Sequence, residues 1–548
     1  MHPMRTSLGP LETPVRQRLQ AFTRDGFARR LWAKDASLWK SDASSQAAIR
    51  GRLGWLEFFE AMRALVPTIQ SFAHETRDSG VRHVVLLGMG GSSLAAEVFR
   101  RAAGTGTPEL RVLDTTDPGA VASAGAGLDP AKSVFLVSSK SGLTVEVLSL
   151  YRHFVDRLRD GSRFVAITDP GTPLEQLSRT AKFRHCFLNP PDIGGRYSAL
   201  SLFGLIPAAL IGVDVAQVLE DARRMAVECG PASPAEVNPG LLLGAALGEA
   251  ALAGRDKLTL LTSAEAAPLG PWIEQLVAES TGKEGRGILP VDGEPFGTNS
   301  AYGADRLFVS IGASVNAPQP SVSIDYGGAS SLGAEFFRWE FATAVAGAIL
   351  GVNPFDEPNV KESKDLMNEV IAKFHRFHKF PEDPPLFETE GVGVFADEGY
   401  MLPGDRALRW TLKEHLSRAE SGDYLALLAY LNPTAEVERE LQAIRRSLRD
   451  SRRLATTLGF GPRYLHSTGQ LHKGGGNRGV FLLLTAADSI DMPIPGERYS
   501  FGQLKMAQAM GDFEALKRHG RRVMRLHLTG DPSTSLRKLR SRVEEALA

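Results

Sequence analysis

The stretch Ser133–Leu148, SVFLVSSKSGLTVEVL, contains the features that decide the fold. Its apolar run at 134–137 predicts a buried parallel strand, and the apolar spacing that follows predicts an amphipathic helix. The loop between them offers three hydroxyls and one ammonium, from Ser139, Lys140, Ser141 and Thr144. With the free N–H groups of a helix start, this set suits a phosphate monoester. It is equally typical of an ordinary strand-to-helix turn with a hydroxyl N-cap.

Short β-branched runs alternate with helical patterns around this stretch. The runs are VVLLG, RVLD, VFLVSS, FVAITD and HCFLN, and they lie within residues 84–189. Such spacing predicts right-handed βαβ units in a doubly wound parallel sheet. Ligands bind such sheets at the carboxyl ends of the strands. The loops GMGGSS and SSKSGL are therefore expected to form one side of a site.

The loop GMGGSS follows a predicted strand and precedes a helix start. Gly90 and Gly91 allow the backbone to approach a ligand closely, and Ser92 can cap the helix or bind a sugar. A dinucleotide site is the alternative, because Asp114 ends the next strand near the acidic position of a ribose binder. The loop lacks the third glycine of GxGxxG, which disfavours that alternative.

The remainder of the chain predicts a second α/β domain with helical additions. Residues 1–80 predict an N-terminal helical cap, and residues 81–235 form the first domain. The runs KLTLLTS, RLFVSIG and SVSIDYG place the first part of a second domain at 240–331. Residues 332–465 are mainly helical by pattern, and strand patterns at 466–548 are expected to complete the second domain. The predicted fold class is α/β, with two doubly wound parallel sheets.

Composition excludes several kinds of partner. The 548 residues exceed the usual size of one core, and 43% hydrophobic with 23% charged residues is ordinary for a globular protein. The 63 basic residues balance 63 acidic ones, so neither nucleic acid nor an acidic membrane is an expected partner. Cys186 and Cys229 are the only cysteines, and their spacing favours neither disulfides nor zinc.

The sequence favours neither a signal peptide at its opening nor a membrane span. The opening MHPMRTSLGPLETPVRQRL has no apolar core of a signal peptide. The longest uncharged stretch, 197–213, contains serines, a glycine and a proline, and it is predicted to be a buried helix rather than a membrane span. A cytoplasmic location is the expectation.

Four further motifs carry groups suited to proton transfer. GGRYSAL contains Arg196, AESTGKEGRGI contains Glu279, LHSTGQLHKGG contains His466, and GVNPFDEPNVKESK contains Lys364. Taken singly, each has an ordinary explanation as a solvated helix end, a surface ion pair, a core histidine or a helix-face charge. His472 lies close to His466 in sequence and competes with it for any role.

Together these motifs resemble those of the glucose-6-phosphate isomerase family, which is built on paired sugar-isomerase (SIS) domains. GMGGSS resembles the family's GIGGS loop, SSKSGLT its SKTxxT phosphate loop, GGRYSA its VGGRYS segment and ESTGK its ESxGK signature. LHSTGQ resembles LHSxGQ, and NPFDEPNVKESK resembles NPFDQPGVExxK. The later stretches GDYLALLAYL, GPRYLHSTGQLHKGG and FGQLKMAQAMGD are similar to the isomerase half of fused transaldolase–isomerase proteins; no transaldolase half is expected here.

The resemblance implies a cofactor-free and metal-free aldose–ketose isomerase. It would interconvert glucose 6-phosphate and fructose 6-phosphate through an enediolate. Glu279 would be the base that moves a proton between C2 and C1, and Arg196 would stabilise the oxyanion. His466 and Lys364 would assist opening of the sugar ring.

The resemblance also implies which residues hold the substrate. The phosphate group would be held by Ser139, Lys140, Ser141 and Thr144, and the sugar by Gly90, Gly91 and Ser92. A dual phosphoglucose/phosphomannose isomerase and a non-catalytic phosphosugar-binding regulator are the alternatives. A homodimer and a separate transaldolase are the protein partners that the resemblance suggests.

The sequence departs from the family pattern in two ways. Lys364 precedes His466 in the chain, whereas the family has the base, the histidine and the lysine in that order. Glu357 stands where the family has a glutamine that contacts substrate, and Lys361 stands where it has a glutamate. Both departures concern the stretch of sequence that carries Lys364.

Overall fold

The computed structural model of the protein describes residues 4–104, 106, 108–313, 317–377, 384–402 and 404–548, with the backbone alone at 360, 361, 363, 364, 375 and 377. The N-terminal region contains strand β1 and four helices: β1 (Met4–Ser7), α1 (Glu12–Arg24), α2 (Phe27–Trp32), α3 (Ala43–Arg50) and α4 (Phe59–Asp78). The predicted helices are present. The first residues are not helical, because β1 pairs with an edge strand of the second sheet described below.

The first sheet is doubly wound, as predicted. Its strands are β2 (His83–Gly88), β3 (Glu109–Leu113), β4 (Ser133–Ser138), β5 (Phe164–Thr168) and β6 (His185–Leu188). They are all parallel, in the order β3-β2-β4-β5-β6. Helices of this region are α5 (Leu94–Ala103), α6 (Pro118–Gly125), α7 (Val145–Leu158), α8 (Pro173–Thr180), α9 (Leu202–Leu210) and α10 (Val215–Glu228). The strand order reverses between β2 and β4, so GMGGSS and SSKSGL lie side by side at the switch point.

The second sheet follows helix α11 (Pro239–Leu252) and is also mainly parallel. It contains β7 (Lys257–Thr262), β8 (Leu289–Val291), β9 (Arg306–Ile311) and β10 (Ser321–Ile324), with α12 (Leu269–Thr281) between β7 and β8. The order is β1-β10-β9-β7-β8, and β1 alone runs antiparallel. Two long helices come next, α13 (Leu332–Leu350) and α14 (Pro358–Phe377).

A third sheet occupies residues 387–528, where the sequence analysis expected helices and then the end of the second domain. Its strands are β11 (Phe387–Thr389), β12 (Val392–Ala396), β13 (Tyr424–Tyr430), β14 (Ala455–Phe460), β15 (Gly479–Ala486) and β16 (Arg522–Leu528). Its helices are α15 (Leu408–Ser417), α16 (Ala435–Arg452), α17 (Gly469–Gly474), α18 (Phe501–Arg518) and α19 (Pro532–Leu547). The order is β11-β12-β16-β15-β13-β14.

The predicted boundaries at 332–465 and 466–548 are therefore wrong. Strand β13, YLALLAY, is buried at every position because it is central in the sheet. A continuous apolar run of this kind cannot be told from a buried helix by periodicity. The α/β class with parallel sheets is confirmed, and its strands are distributed over three sheets.

Buried helices join the three regions. α13 is buried along nearly its whole length and packs against α10, α11 and α12. α14 packs on α18 and α17, and Met367 of α14 shares a core with Val147 of α7 and Phe501 of α18. The uncharged stretch at 197–213 contains the fully buried helix α9, as predicted. Among the described residues, no helix combines the length and the apolar character needed to cross a membrane.

Candidate active site

Two glycine-bearing turns meet the histidine segment at the carboxyl end of the first sheet. Gly90 has φ +54°, and a Cβ there would lie 3.0 Å from the Cβ of His466. A Cβ on Gly91 would lie 2.1 Å from the carbonyl oxygen of Gly195, next to Arg196. Only glycine allows this close approach. The structure therefore brings together three segments that are far apart in the sequence.

Arg196 is buried beneath this junction, with 4% of its surface exposed. Its Nε donates to Ser280 Oγ at 2.8 Å, and its Nη2 donates to the backbone carbonyls of Pro354 and Asp356, each at 2.8 Å. These three bonds engage Nε and Nη2. The remaining nitrogen, Nη1, lies near the carboxylates of Glu279 and Glu357.

Glu279 lies in the last turn of α12 with 7% of its surface exposed. Its Oε1 is 3.3 Å from Arg196 Nη1. One turn earlier, Gln275 Nε2 donates to Glu279 Oε2 at 3.0 Å and to the backbone carbonyl of His466 at 2.7 Å. Burial raises the pKa of Glu279, and the charge of Arg196 opposes that rise. Gln275 therefore ties the carboxylate to the histidine segment.

His466 is held by a second carboxylate. Its Nε2 lies 2.9 Å from Oε1 of Glu146, a buried residue in the first turn of α7. Gln508 Nε2 also donates to this oxygen, at 2.8 Å. Such a partner fixes the orientation of an imidazole. His472 is instead a core residue, because its ring is buried and its Nδ1 lies 3.0 Å from the hydroxyl of Tyr424.

The loop SSKSGL connects β4 and α7 as predicted. Thr144 occupies the N-cap position, but its hydroxyl makes no capping bond. It lies instead 2.9 Å from Ser139 Oγ, which accepts the N–H of Gly142 at 3.1 Å. The ordinary hydroxyl cap is therefore not what these side chains form. Ser141 is exposed, and its Oγ accepts the N–H of Leu143 at 3.3 Å.

Lys140 is already paired in the structure. Its Nζ donates to a carboxylate oxygen of Asp169, which follows β5, and to the carbonyl of Pro191 at 3.0 Å. Burial lowers the pKa of Lys140, and Asp169 opposes that effect. The sequence places Asp169 at the end of FVAITD but gives no sign of this ion pair.

The segment 353–357 lies over Arg196 and is held by a second buried cation. Lys283, in the ESTGK motif, donates from Nζ to the carbonyl of Asn353 at 2.5 Å and to Asp356 Oδ1 at 2.7 Å. Burial lowers the pKa of Lys283 to about 8. Glu357 ends the segment, and its Oε2 is 3.2 Å from Arg196 Nη1.

Helix α14 begins directly after this segment and is docked by Gln470 of the LHSTGQ motif. Gln470 Oε1 accepts the backbone N–H of Asn359 at 2.9 Å, and its Nε2 donates to the carbonyl of Gly282 at 3.0 Å. Gln470, in the segment after His466, therefore links the start of α14 to the end of the Glu279 helix. The side chain of Lys364, in this helix, lies outside the described residues.

Four side chains of the site were not assigned from the sequence: Glu146, Gln275, Lys283 and Gln470. Glu146 follows the phosphate loop closely, and a carboxylate on the buried face of a helix start could have drawn attention to it. Lys283 and Gln470 stand inside quoted motifs. Gln275 lies one turn before Glu279, on the same helix face.

The arrangement suits proton transfer. It contains a buried carboxylate of raised pKa, a fixed guanidinium beside it and an imidazole with its own acid partner. Within the described part of the chain, no cluster of three or more histidine, cysteine or acidic side chains could hold a metal ion. The expectation of a cofactor-free site stays a prediction.

Comparisons with known proteins show what this chain is similar to. The family model for phosphoglucose isomerase matches residues 55–287, which include the first sheet, Arg196 and Glu279. Glucose-6-phosphate isomerase of Rubrobacter xylanophilus is 28% identical over 368 residues, covering 54% of this chain and 83% of that protein. Glucose-6-phosphate isomerase of Carboxydothermus hydrogenoformans is 31% identical over 253 residues, covering 43% of this chain and 54% of that protein.

A solved structure supports the fold. The crystal structure of a glucose-6-phosphate isomerase from Chlamydia trachomatis matches with a TM-score of 0.50 and 20% identity, over 63% of this chain and 78% of that chain. At this identity the likeness concerns the fold alone. The family model over residues 55–287 and the curated relatives show in addition that this chain is similar in sequence to glucose-6-phosphate isomerases.

Proposed function

We propose that this protein interconverts glucose 6-phosphate and fructose 6-phosphate through an enediolate intermediate. The observation that carries the proposal is the joining of Glu279, Arg196 and the His466 segment around Gln275. A base, an oxyanion partner and a ring-opening acid are the groups that an aldose–ketose isomerisation needs. The names of the relatives agree with this substrate pair.

Ring opening is the first step of the proposed mechanism. His466 moves a proton between the ring oxygen and the C1 hydroxyl of the closed sugar, and Glu146 stabilises the imidazolium that forms. Lys364 is proposed to assist at the ring oxygen, and the docking of α14 by Gln470 supports this placement.

Isomerisation is the second step. Glu279 takes the proton from C2 of the open aldose and returns it to C1, while a proton moves from the C2 hydroxyl oxygen to the C1 oxygen. Arg196 stabilises the enediolate oxygen that carries negative charge in between. The raised pKa of Glu279 makes the carboxylate a stronger base and lets it hold the proton long enough to return it.

Substrate binding is proposed to use both loops of the first sheet. Ser139, Ser141 and Thr144 would donate hydroxyl hydrogen bonds to the phosphate group, and Lys140 would supply charge. The start of α7 supports this, because Thr144 does not cap the first helix N–H groups, which leaves them open to an anion. Gly90, Gly91 and Ser92 would contact the sugar.

The proposal also covers the location, the cofactors and the protein partners of the enzyme. We infer a cytoplasmic, cofactor-free enzyme that works as a homodimer, with a separate transaldolase as a metabolic partner. Mass measurement of the intact protein in solution tests the dimer. Co-purification with a transaldolase tests the second partner.

A coupled assay tests the function directly. The purified chain is given fructose 6-phosphate, and glucose 6-phosphate is followed through a nicotinamide-linked dehydrogenase, before and after exhaustive chelation. Turnover that survives chelation is expected. Binding of fructose 6-phosphate without turnover would replace the proposal with a phosphosugar-binding regulator. A parallel assay with mannose 6-phosphate shows whether the enzyme accepts the C2 epimer.

A further inference from the structure

Glu357 brings a second carboxylate to the guanidinium that serves the base. We propose that Glu357 is a positioning residue, which competes with Glu279 for Arg196 and thereby sets the strength of Glu279 as a base. The inference rests on the proposed function, because it assigns Glu279 the proton transfer. Three observations in the structure support it: the backbone before Glu357 is anchored, both carboxylates contact the same nitrogen of Arg196, and the other charged groups nearby are few.

The segment that carries Glu357 is fixed. Arg196 and Lys283 together bind the carbonyls of Asn353, Pro354 and Asp356. Asn353 Nδ2 donates to Asp356 Oδ2 at 2.9 Å, and Asn353 Oδ1 accepts the N–H of Phe355 at 3.0 Å. Glu357 therefore follows an anchored backbone, unlike an ordinary surface glutamate.

The carboxylates of Glu279 and Glu357 meet the same nitrogen. Arg196 Nη1 lies 3.3 Å from Glu279 Oε1 and 3.2 Å from Glu357 Oε2. The other nitrogens of the guanidinium donate to Ser280 and to backbone carbonyls. Nη1 of Arg196 thus has two carboxylate partners. Each carboxylate weakens the electrostatic attraction between the guanidinium and the other carboxylate.

The other charges around this pair come from a few elements. Glu279 faces Arg196, Glu357 and Lys283. Glu357 faces Arg196 and, at 4.0 Å, Nη2 of Arg52. Lys283 is in turn paired with Asp356. With these partners the negative charge of Glu357 opposes ionisation of Glu279, in the same direction as burial.

The consequence has a definite sign. A neutral glutamine at 357 removes one negative charge, so that Nη1 of Arg196 interacts with the carboxylate of Glu279 and no longer with a second carboxylate at 357. The pKa of Glu279 then falls, so the acid limb of the kcat/KM profile moves to lower pH by about 0.5–1 unit. A weaker base transfers the proton more slowly, so kcat on the plateau falls about two- to fivefold.

The test compares Glu357→Gln with the wild-type chain over the full pH range. The acid limb of kcat/KM is measured with fructose 6-phosphate, and thermal unfolding verifies the fold. Glu357→Asp keeps the charge and is expected to keep the acid limb close to that of the wild type. Glu284→Gln is the matched control, because Glu284 lies on the loop after Lys283 but is exposed and pairs with Lys40 at 2.6 Å.

A direct titration separates this inference from the proposed function. Infrared difference spectra report the protonated carboxyl of Glu279, which is identified by its loss in Glu279→Gln. A lower pKa of this group in Glu357→Gln supports the inference, even if the wild type showed no isomerase activity. An unchanged pKa of Glu279 together with an unchanged acid limb would overturn it, whether or not the protein is an isomerase.

Discussion

The two ends of the proposed site, named for the base and the phosphate group that we propose they serve, are built in opposite ways. The base end consists of Arg196, Glu279, Lys283 and Glu357. Its groups come from distant parts of the chain, and Arg196 and Glu279 are 4% and 7% exposed. The phosphate end is the single loop that contains Ser139, Lys140, Ser141 and Thr144, where the neighbouring Leu143 is 66% exposed.

The difference concerns how much each charge depends on its neighbours. At the base end the charges of Arg196, Glu279 and Lys283 are removed from water, so each needs a partner, and loss of one leaves the other uncompensated. At the phosphate end, Ser141 and Leu143 are exposed, so water hydrates the outer part of the loop, while Lys140 lies largely buried beside Asp169. Changes at the base end should therefore affect chemistry and stability together, whereas changes at the phosphate end should affect binding.

The largest effect is expected at the base itself. Glu279→Gln keeps the shape and the bond from Gln275 but removes the group that accepts the proton. Turnover should fall about 10²–10⁴-fold, and exchange of the C2 proton with solvent should be lost for every substrate form. Deuterium incorporation into fructose 6-phosphate and its aldose product measures this. Full exchange in the variant would remove Glu279 as the base.

The next effect concerns the imidazole. His466→Ala should lower turnover of the closed sugar by about 10–100-fold while sparing a four-carbon aldose phosphate, which has no ring to open. Glu146→Gln should act in the same direction with a smaller loss, because the imidazolium loses its anionic partner. Lys364→Ala should follow His466→Ala if α14 delivers that side chain to the ring oxygen. Rates with both substrates are the measurement.

His472→Gln is the matched control for the imidazole. His472 is buried in the core of the third sheet, and burial holds its pKa well below the usual value. This change should lower the temperature of unfolding and should leave the ratio of rates for cyclic and open-chain substrates unaltered. Equal losses for both substrates in His466→Ala would contradict the ring-opening role.

The contrast between the two ends also explains what the sequence could predict. The phosphate end, the first sheet and its five strands follow from local patterns, because strand, loop and helix are contiguous. Gly90 and Gly91 are predicted to let the backbone approach a ligand closely, whereas the close approach seen in the structure is to the segments of His466 and Gly195. The roles of these residues stay predictions.

Local sequence patterns do not predict the contacts of the base end or the strands of the third sheet. Lys283 has a partner, Asp356, that lies far along the chain, and the pairing of Lys140 with Asp169 depends on adjacent strands. Strand β13 is buried on both faces and shows no alternation. These features depend on tertiary neighbours, which periodicity does not report.

A moderate effect is expected at the phosphate end. Replacing Lys140 and Ser141 by alanine should raise KM for fructose 6-phosphate by about ten- to a hundredfold with little change in kcat, because a charge-assisted hydrogen bond contributes about 1.5–3 kcal/mol. Lys132→Ala is the control, since Lys132 precedes β4 and is exposed near Asp129. Unchanged affinity in the double variant would place the phosphate site elsewhere.

The smallest predicted effect tests whether the ion pair of Lys140 with Asp169 weakens binding of the substrate phosphate. In the structure the ammonium of Lys140 donates hydrogen bonds to Asp169 and to the carbonyl of Pro191. Asp169→Asn removes the competing carboxylate but keeps its shape, so the ammonium can turn to the substrate. KM should fall about two- to threefold at neutral pH with kcat unchanged, which is an effect within the range of a partly exposed ion pair.

The sign of this last effect depends on pH in a definite way. Burial already lowers the pKa of Lys140, and Asp169 opposes that shift. Without the carboxylate the pKa falls further, so the ammonium loses its proton at lower pH than in the wild type. The gain in affinity should therefore be present near neutral pH and should disappear as the pH rises. A raised KM at every pH would show instead that Asp169 orients Lys140 toward the phosphate, and the two ends would then resemble each other in needing paired charges.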